Sequence, residues 1–147
     1  MIRVAIVGAT GVVGQQAIVR LVNHPWFKIT TLAASERSAG KVYSEALRDT
    51  GGASRWWCPE ELPKEIGEMT VENAAEFDPS KVDIIISTVD AGVAKELEPK
   101  YAKTTPVIST ASAFRYEDDT PILVGGVNMD HAKMISIQQQ KRGWKGF

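Results

Sequence analysis

The sequence predicts an α/β fold: a doubly wound, mostly parallel sheet with helices on both faces. Three observations predict it. The chain opens on an apolar run, Ile2-Arg3-Val4-Ala5-Ile6-Val7, that breaks at once into Gly8-Ala9-Thr10-Gly11-Val12-Val13-Gly14 and then into helical spacing. Apolar runs rich in Val and Ile alternate with helix-periodic segments along the rest of the chain, which is the βαβ pattern. Right-handed crossovers between such strands give a Rossmann-like sheet.

The elements follow in order. Residues 2–7 form the first strand, and Val13, Ala17 and Leu21 then fall on one helical stripe, with Ile18 and Val22 beside it and Asn23-His24-Pro25 to end the helix. Residues 29–34 read as the second strand. Residues 36–64, with Gly40, Gly51-Gly52 and Arg55-Trp56-Trp57, show no regular period, and a short strand is expected around 69–71. The Val and Ile run at 82–88 reads as a central strand, 91–103 as a helix kinked at Pro99, and 106–109 as the next strand. A further strand is expected over 122–124, and Asn128 is placed as the N-cap of a helix running to about Lys141.

Composition narrows the partners. The 147 residues suit one domain over 1–147, and a net charge of −1 supplies no basic field for nucleic acid. No apolar run is long enough to cross a bilayer, so neither nucleic acid nor membrane is expected as a partner. The single cysteine, Cys58, has no internal partner for a disulfide, and with no signal-like N-terminus the expected location is cytoplasmic.

The glycines carry the first site. Gly8, Gly11 and Gly14 are spaced G-x-x-G-x-x-G, with Thr10, Val12 and Val13 between them, directly after a strand and opening a helix. Such a loop lets the backbone turn tightly and approach a pyrophosphate, while the free N–H groups of the helix start face the anion. The end of the second strand sets the choice of dinucleotide. There Ser35, Arg37 and Ser38 offer donors suited to a 2′-phosphate, which favours NADP over NAD despite Glu36. The competing reading makes Glu36 and Arg37 a weak exposed ion pair.

Other reactive residue types stay ordinary. Cys58 follows two tryptophans with no histidine near it, so a packed, unactivated thiol is expected. His24 reads as a helix-end residue and His131 as a first-turn residue beside Asp130, and no metal site is expected.

At the level of whole segments, GATGVVG, LAASERSAG from Leu32, ASAFRYEDDTPILV from Ala111, and VNMDH followed by QQQKRGWKG resemble the archaeal and fungal branch of aspartate-β-semialdehyde dehydrogenase. The likeness runs the length of the chain. It implies an NADP-dependent oxidoreductase that reduces β-aspartyl phosphate to aspartate semialdehyde, on the route to lysine, methionine, threonine and isoleucine, as a homo-oligomer acting on a small acyl phosphate. Malonyl-CoA reductase shares the glycine loop and the W-K-G-F ending, whereas ERSAG and ASAFR look more like the semialdehyde enzyme.

The resemblance also implies residue roles. Arg115 matches an arginine that helps hold the acyl phosphate or inorganic phosphate, the alternative being a surface arginine paired with Glu117 or Asp118. Ser87 and Thr88 resemble residues lining the cofactor's ribose and nicotinamide, the alternative being strand-end hydroxyls bonded to local backbone. Two departures stand out. Thr110 replaces an Asn found in many relatives and keeps a hydroxyl for the cofactor, while Gly125-Gly126-Val127-Asn128 lacks their proline and glutamate before Val-Asn.

In the family, the nucleophilic cysteine sits in a segment like T-N-P-N-C just beyond the point that resembles Trp144-Lys145-Gly146-Phe147, and the acid/base histidine lies further on. The resemblance therefore implies the cofactor-binding half of a longer enzyme, with the catalytic and dimerisation domain absent from this chain and no catalytic residue within it. The second function class is a non-catalytic NADP-binding module.

Overall fold

The computed structural model describes residues 1–146; Phe147, the end of the Trp-Lys-Gly-Phe stretch, lies outside the described residues. Five strands form one sheet: β1 (Ile2–Val7), β2 (Phe27–Ala34), β3 (Val71–Asn73), β4 (Ile84–Ser87) and β5 (Val107–Ser109), in the order β3-β2-β1-β4-β5. Every pairing is parallel, so the expected mostly parallel sheet is wholly parallel here.

Strand β1 is the middle of the sheet because both its faces are apolar. Val4 and Ile6 point into one core with Ile18, Leu32, Tyr43 and Leu47; Ala5 and Val7 point into the other with Ile85, Leu97, Tyr101 and Val107. Burial on both faces is what turns an alternating strand pattern into a continuous apolar run. The helices α1 (Val12–Leu21), α2 (Tyr43–Ala46) and α3 (Lys64–Gly67) cover the first face, and α4 (Ala91–Ala102) covers the second. A clamp fixes the start of β4. The Arg3 backbone N–H and guanidinium donate to the Asp83 carboxylate at 2.7–3.1 Å, and the Asp83 N–H donates back to the Arg3 carbonyl at 2.9 Å. The Arg3 hydrogen bonds hold the Asp83 carboxyl down at about 2.

Three expectations are corrected. The third strand lies at 71–73 rather than 69–71, because Met69 closes the turn after α3, its N–H donating to the Ile66 carbonyl at 3.1 Å, while its carbonyl accepts from the Tyr43 N–H. Residues 122–124 form no strand: they are exposed and lie outside the sheet, whose edge is β5. Asn128 does stand at the N-cap position before the last helical segment, but its side chain makes no cap hydrogen bond. Its side chain instead closes the preceding loop, accepting from Val124 N–H at 2.6 Å and donating to the Ile122 carbonyl at 2.8 Å, and a 3₁₀ turn (Met129–Lys133) precedes α5 (Met134–Arg142). Helix α4 runs on through Pro99. Among the described residues no helix is long and apolar enough to cross a membrane.

Candidate functional site

The carboxyl ends of β1, β2, β3 and β4 open onto one cleft, and the loop after β1 forms its floor. Val7 ends the strand with its carbonyl accepting from both the Thr88 N–H (2.9 Å) and the Thr88 hydroxyl (2.8 Å). Gly8 then turns at φ +83°, where a Cβ would stand 2.7 Å from the Thr88 Oγ1, so a side chain is excluded by both conformation and space. Gly8 and Ala9 both donate their N–H groups to the Ala33 carbonyl, at 2.9 and 3.1 Å. That fixes the loop to β2.

The loop carbonyls are all used internally. Gly8 accepts from Gly11 N–H (3.0 Å), Ala9 from the Tyr43 hydroxyl (2.6 Å), Thr10 from the Gln15 side-chain amide (3.2 Å), and Gly11 from Gln15 N–H (3.0 Å). Gln15 is wholly buried and also ties down the irregular segment, donating to the Arg55 carbonyl (2.8 Å) and accepting from Trp57 N–H (2.7 Å). Helix α1 begins after Gly11 with no side-chain cap and no acidic residue in its first turn. Its first N–H groups and the positive end of its dipole are therefore left for an anion.

The cleft has a volume of about 700 Å³, within the span of roughly 300–1,000 Å³ usual for small-ligand sites. Of the residues singled out from sequence, Gly8, Thr10, Gly11, Val12, Val13, Ser35 and Thr88 line it. Gly14 does not. It is buried against Gly8, where a Cβ would lie 2.4 Å from the Gly8 carbonyl oxygen, so its task is to let α1 pack on the strand end.

At the end of β2 the chain turns sharply, Ser38 N–H donating to the Ser35 carbonyl at 2.8 Å and Gly40 N–H to the Val71 carbonyl at 2.8 Å. This turn leaves Ser35 and Glu36 on the cleft wall, Arg37 exposed just beyond it, and Ser38 buried and not part of the lining. Ser87 is also fully buried, and its hydroxyl has no hydrogen-bond partner among the described residues. Sequence reasoning missed Asn73, Glu76, Asp90 and Glu96, which line the same cleft. Asn73 ends β3 and Asp90 precedes α4, so the rule that ligands lie at carboxyl strand ends could have found both once the strand order was known.

Thr110 and Arg115 stand apart, in a second cleft of about 580 Å³ beside β5. Thr110 N–H and hydroxyl both approach the Ser87 carbonyl, at 3.0 and 3.3 Å, and the Arg115 guanidinium donates to the Thr110 carbonyl at 3.3 Å. Glu117, an alternative partner for Arg115, is engaged by Arg142 at 3.1 Å.

Cys58 is buried, its sulfur 3.3 Å from the Gln16 side-chain amide. Burial first, then the Glu60 carboxylate, pushes the thiol up, which is opposite to what a nucleophile needs. His24 accepts from Trp26 N–H at 3.2 Å through Nδ1 and packs on Phe27, a role in ending the first βα unit.

The family described as semialdehyde dehydrogenase, NAD binding domain, matches residues 3–135. An aspartate-semialdehyde dehydrogenase of Methanothermobacter thermautotrophicus is 44% identical over the whole chain, and a malonyl CoA reductase (NADP) of Metallosphaera sedula is 35% identical over 99% of it. The chain spans about 40% of the length of these relatives. Among solved structures, aspartate semialdehyde dehydrogenase with NADP from Candida albicans superposes with a TM-score of 0.83 at 33% identity, over 99% of this chain and 40% of that one.

Proposed function

Because the chain belongs to the semialdehyde dehydrogenase family through its NAD-binding domain, we propose that it is the NADP-binding part of an aspartate-semialdehyde dehydrogenase, which reduces β-aspartyl phosphate to aspartate semialdehyde. The observation that carries this proposal is the glycine loop: its carbonyls are paired inward while the uncapped start of α1 faces the cleft.

The residues fit such a cofactor. Gly8 has no room for a side chain, and Gly11, exposed at the helix start, leaves the pyrophosphate an open approach. Ser35 on the cleft wall and Arg37 beyond it would take the 2′-phosphate, and Thr88, its own hydroxyl proton committed to Val7, would offer lone pairs to the nicotinamide half. Bound there, NADPH would supply the hydride. The four carboxylates Glu36, Glu76, Asp90 and Glu96 on the walls suit ribose hydroxyls and the adenine amino group rather than phosphates. Arg115 in the second cleft would hold the acyl phosphate, a planar guanidinium giving two parallel hydrogen bonds to an oxyanion.

Within this chain no thiol is activated for attack on an acyl group, since Cys58 is buried and its thiol raised. The test follows directly. The 147-residue chain binds NADPH but does not reduce NADP when given aspartate semialdehyde and phosphate; turnover that disappears in Cys58→Ser would overturn the assignment. Identity favours aspartate semialdehyde over malonyl-CoA, 44% against 35%, and joining the chain to the remaining length of its relatives and assaying both substrates separates the two.

A further inference from the structure

We propose that Tyr43 is a positioning residue for the phosphate-binding loop: by holding the Ala9 carbonyl in the core it turns the Thr10 N–H outward as a donor to the cofactor's pyrophosphate. This rests on the proposed binding of NADP at the glycine loop and deepens it.

Tyr43 lies in the segment whose sequence shows no period, at the start of the four-residue helix α2, and it is fully buried. Its backbone N–H is fixed to the Met69 carbonyl at 2.8 Å, so its ring enters the core at a set point. There the hydroxyl donates to the Ala9 carbonyl at 2.6 Å. Burial pushes the phenol well up, so it remains a donor throughout the working pH range.

The Ala9–Thr10 peptide is trans, and in a trans peptide C=O and N–H point in opposite directions. With the oxygen drawn toward Tyr43, the Thr10 N–H points away from the core, on the side where Thr10 lines the cleft. It makes no hydrogen bond among the described residues. The next peptide is held the other way, with the Thr10 carbonyl on Gln15 and the Gly11 N–H on Gly8, so the loop has one outward backbone donor before the helix start. Without the phenol hydroxyl, the Ala9 carbonyl would be a buried acceptor with no donor. Turning that peptide over to reach water would then place an oxygen where a phosphate must approach.

Tyr43→Phe removes this hydrogen bond and keeps the ring. Affinities of the 147-residue chain are measured by titration with NADPH, NADH and adenosine 2′-monophosphate, which carries no pyrophosphate. NADPH and NADH should both weaken by the same factor, about three- to tenfold, the worth of one hydrogen bond. Adenosine 2′-monophosphate should bind as to wild type. Unchanged NADPH affinity, or an equal loss for adenosine 2′-monophosphate, overturns the inference.

Failure of the parent assignment looks different: the wild-type chain itself then binds neither dinucleotide, and both proposals fall together. If Tyr43→Phe does not fold, the wild-type amide spectrum decides. The Thr10 N–H resonance should move downfield as NADPH is added, and a resonance that stays in place at saturation overturns the assignment of Thr10 as the outward donor.

Discussion

Gly14 sits so close to Gly8 that a Cβ at Gly14 would lie 2.4 Å from the Gly8 carbonyl oxygen and 2.8 Å from the Ala9 Cα. These neighbours are backbone, which cannot swing aside as a side chain tip can. Gly14→Ala should therefore force α1 off the end of β1 and cost about 1–3 kcal/mol, the usual penalty of overpacking. Chemical denaturation checks it, and a Gly14→Ala chain as stable as wild type would show that the helix tolerates the shift.

A second prediction concerns the far end of the chain. The Arg142 guanidinium grips the buried Asp119 carboxylate at 2.6 and 2.7 Å, lies 4.8 Å from the Trp144 ring centroid, and so docks the end of α5 on the 117–120 turn. The Arg142 hydrogen bonds first, with Lys141 Nζ at 3.3 Å beside them, outweigh burial and lower the Asp119 carboxyl below its ordinary value. A carboxyl lowered on folding contributes stability that is fully present above the unfolded value of about 3.9 and is lost as pH falls through the folded one. Asp119→Asn should thus lower stability by about 2–3 kcal/mol at neutral pH and flatten the acid limb below about pH 4, read from denaturation midpoints at pH 7 and pH 3. The same loss at both pH values would exclude the pair as the cause.

A third prediction concerns Arg37 and the proposed preference for NADPH over NADH. A hydrogen bond to a charged group contributes roughly 1.5–3 kcal/mol, so Arg37→Ala should weaken NADPH about 10- to 100-fold and leave NADH nearly unchanged. Added salt should also weaken NADPH more, because Arg37 is exposed to screening ions. Paired dissociation constants for both cofactors check this; equal losses, or a wild type that prefers NADH, would assign the β2 end to Glu36 as a ribose-binding acid.

The legible parts of the fold were those where local pattern and tertiary environment agree. β1, the glycine turn, α1 and β2 are a buried strand, a tight turn, an amphipathic helix and a second apolar strand in succession, and each announces itself within a few residues. Ile122-Leu123-Val124 is the opposite case: a strand-like composition with no neighbour, since β5 is the edge of the sheet and the Asn128 side chain holds the segment as a loop. At the site, the tight turn at Gly8 and the close helix packing at Gly14 could be read because both are local. Ser38 could not, because its burial follows from a turn that ties Gly40 to Val71 across the sheet edge. Tyr43 and Gln15 were out of reach for the same reason: Tyr43 acts on Ala9, and Gln15 on Arg55 and Trp57, across long stretches of chain whose course no local period encodes.

The most direct test of the central claim, that a dinucleotide phosphate lies on the glycine loop, is an NADPH titration of wild type beside Gly11→Val. Gly11 has φ −80°, open to any residue, and a Cβ there meets the Gly8 carbonyl oxygen at 3.3 Å, a tight contact that a small shift of the loop relieves, so far-UV circular dichroism is recorded beside the titration and should show the variant folded. Its branched side chain would stand on the cleft floor where the pyrophosphate must come closest. The predicted result is saturable binding by wild type and a loss of about tenfold or more in the folded variant. A folded Gly11→Val chain that binds NADPH as tightly as wild type would contradict the claim.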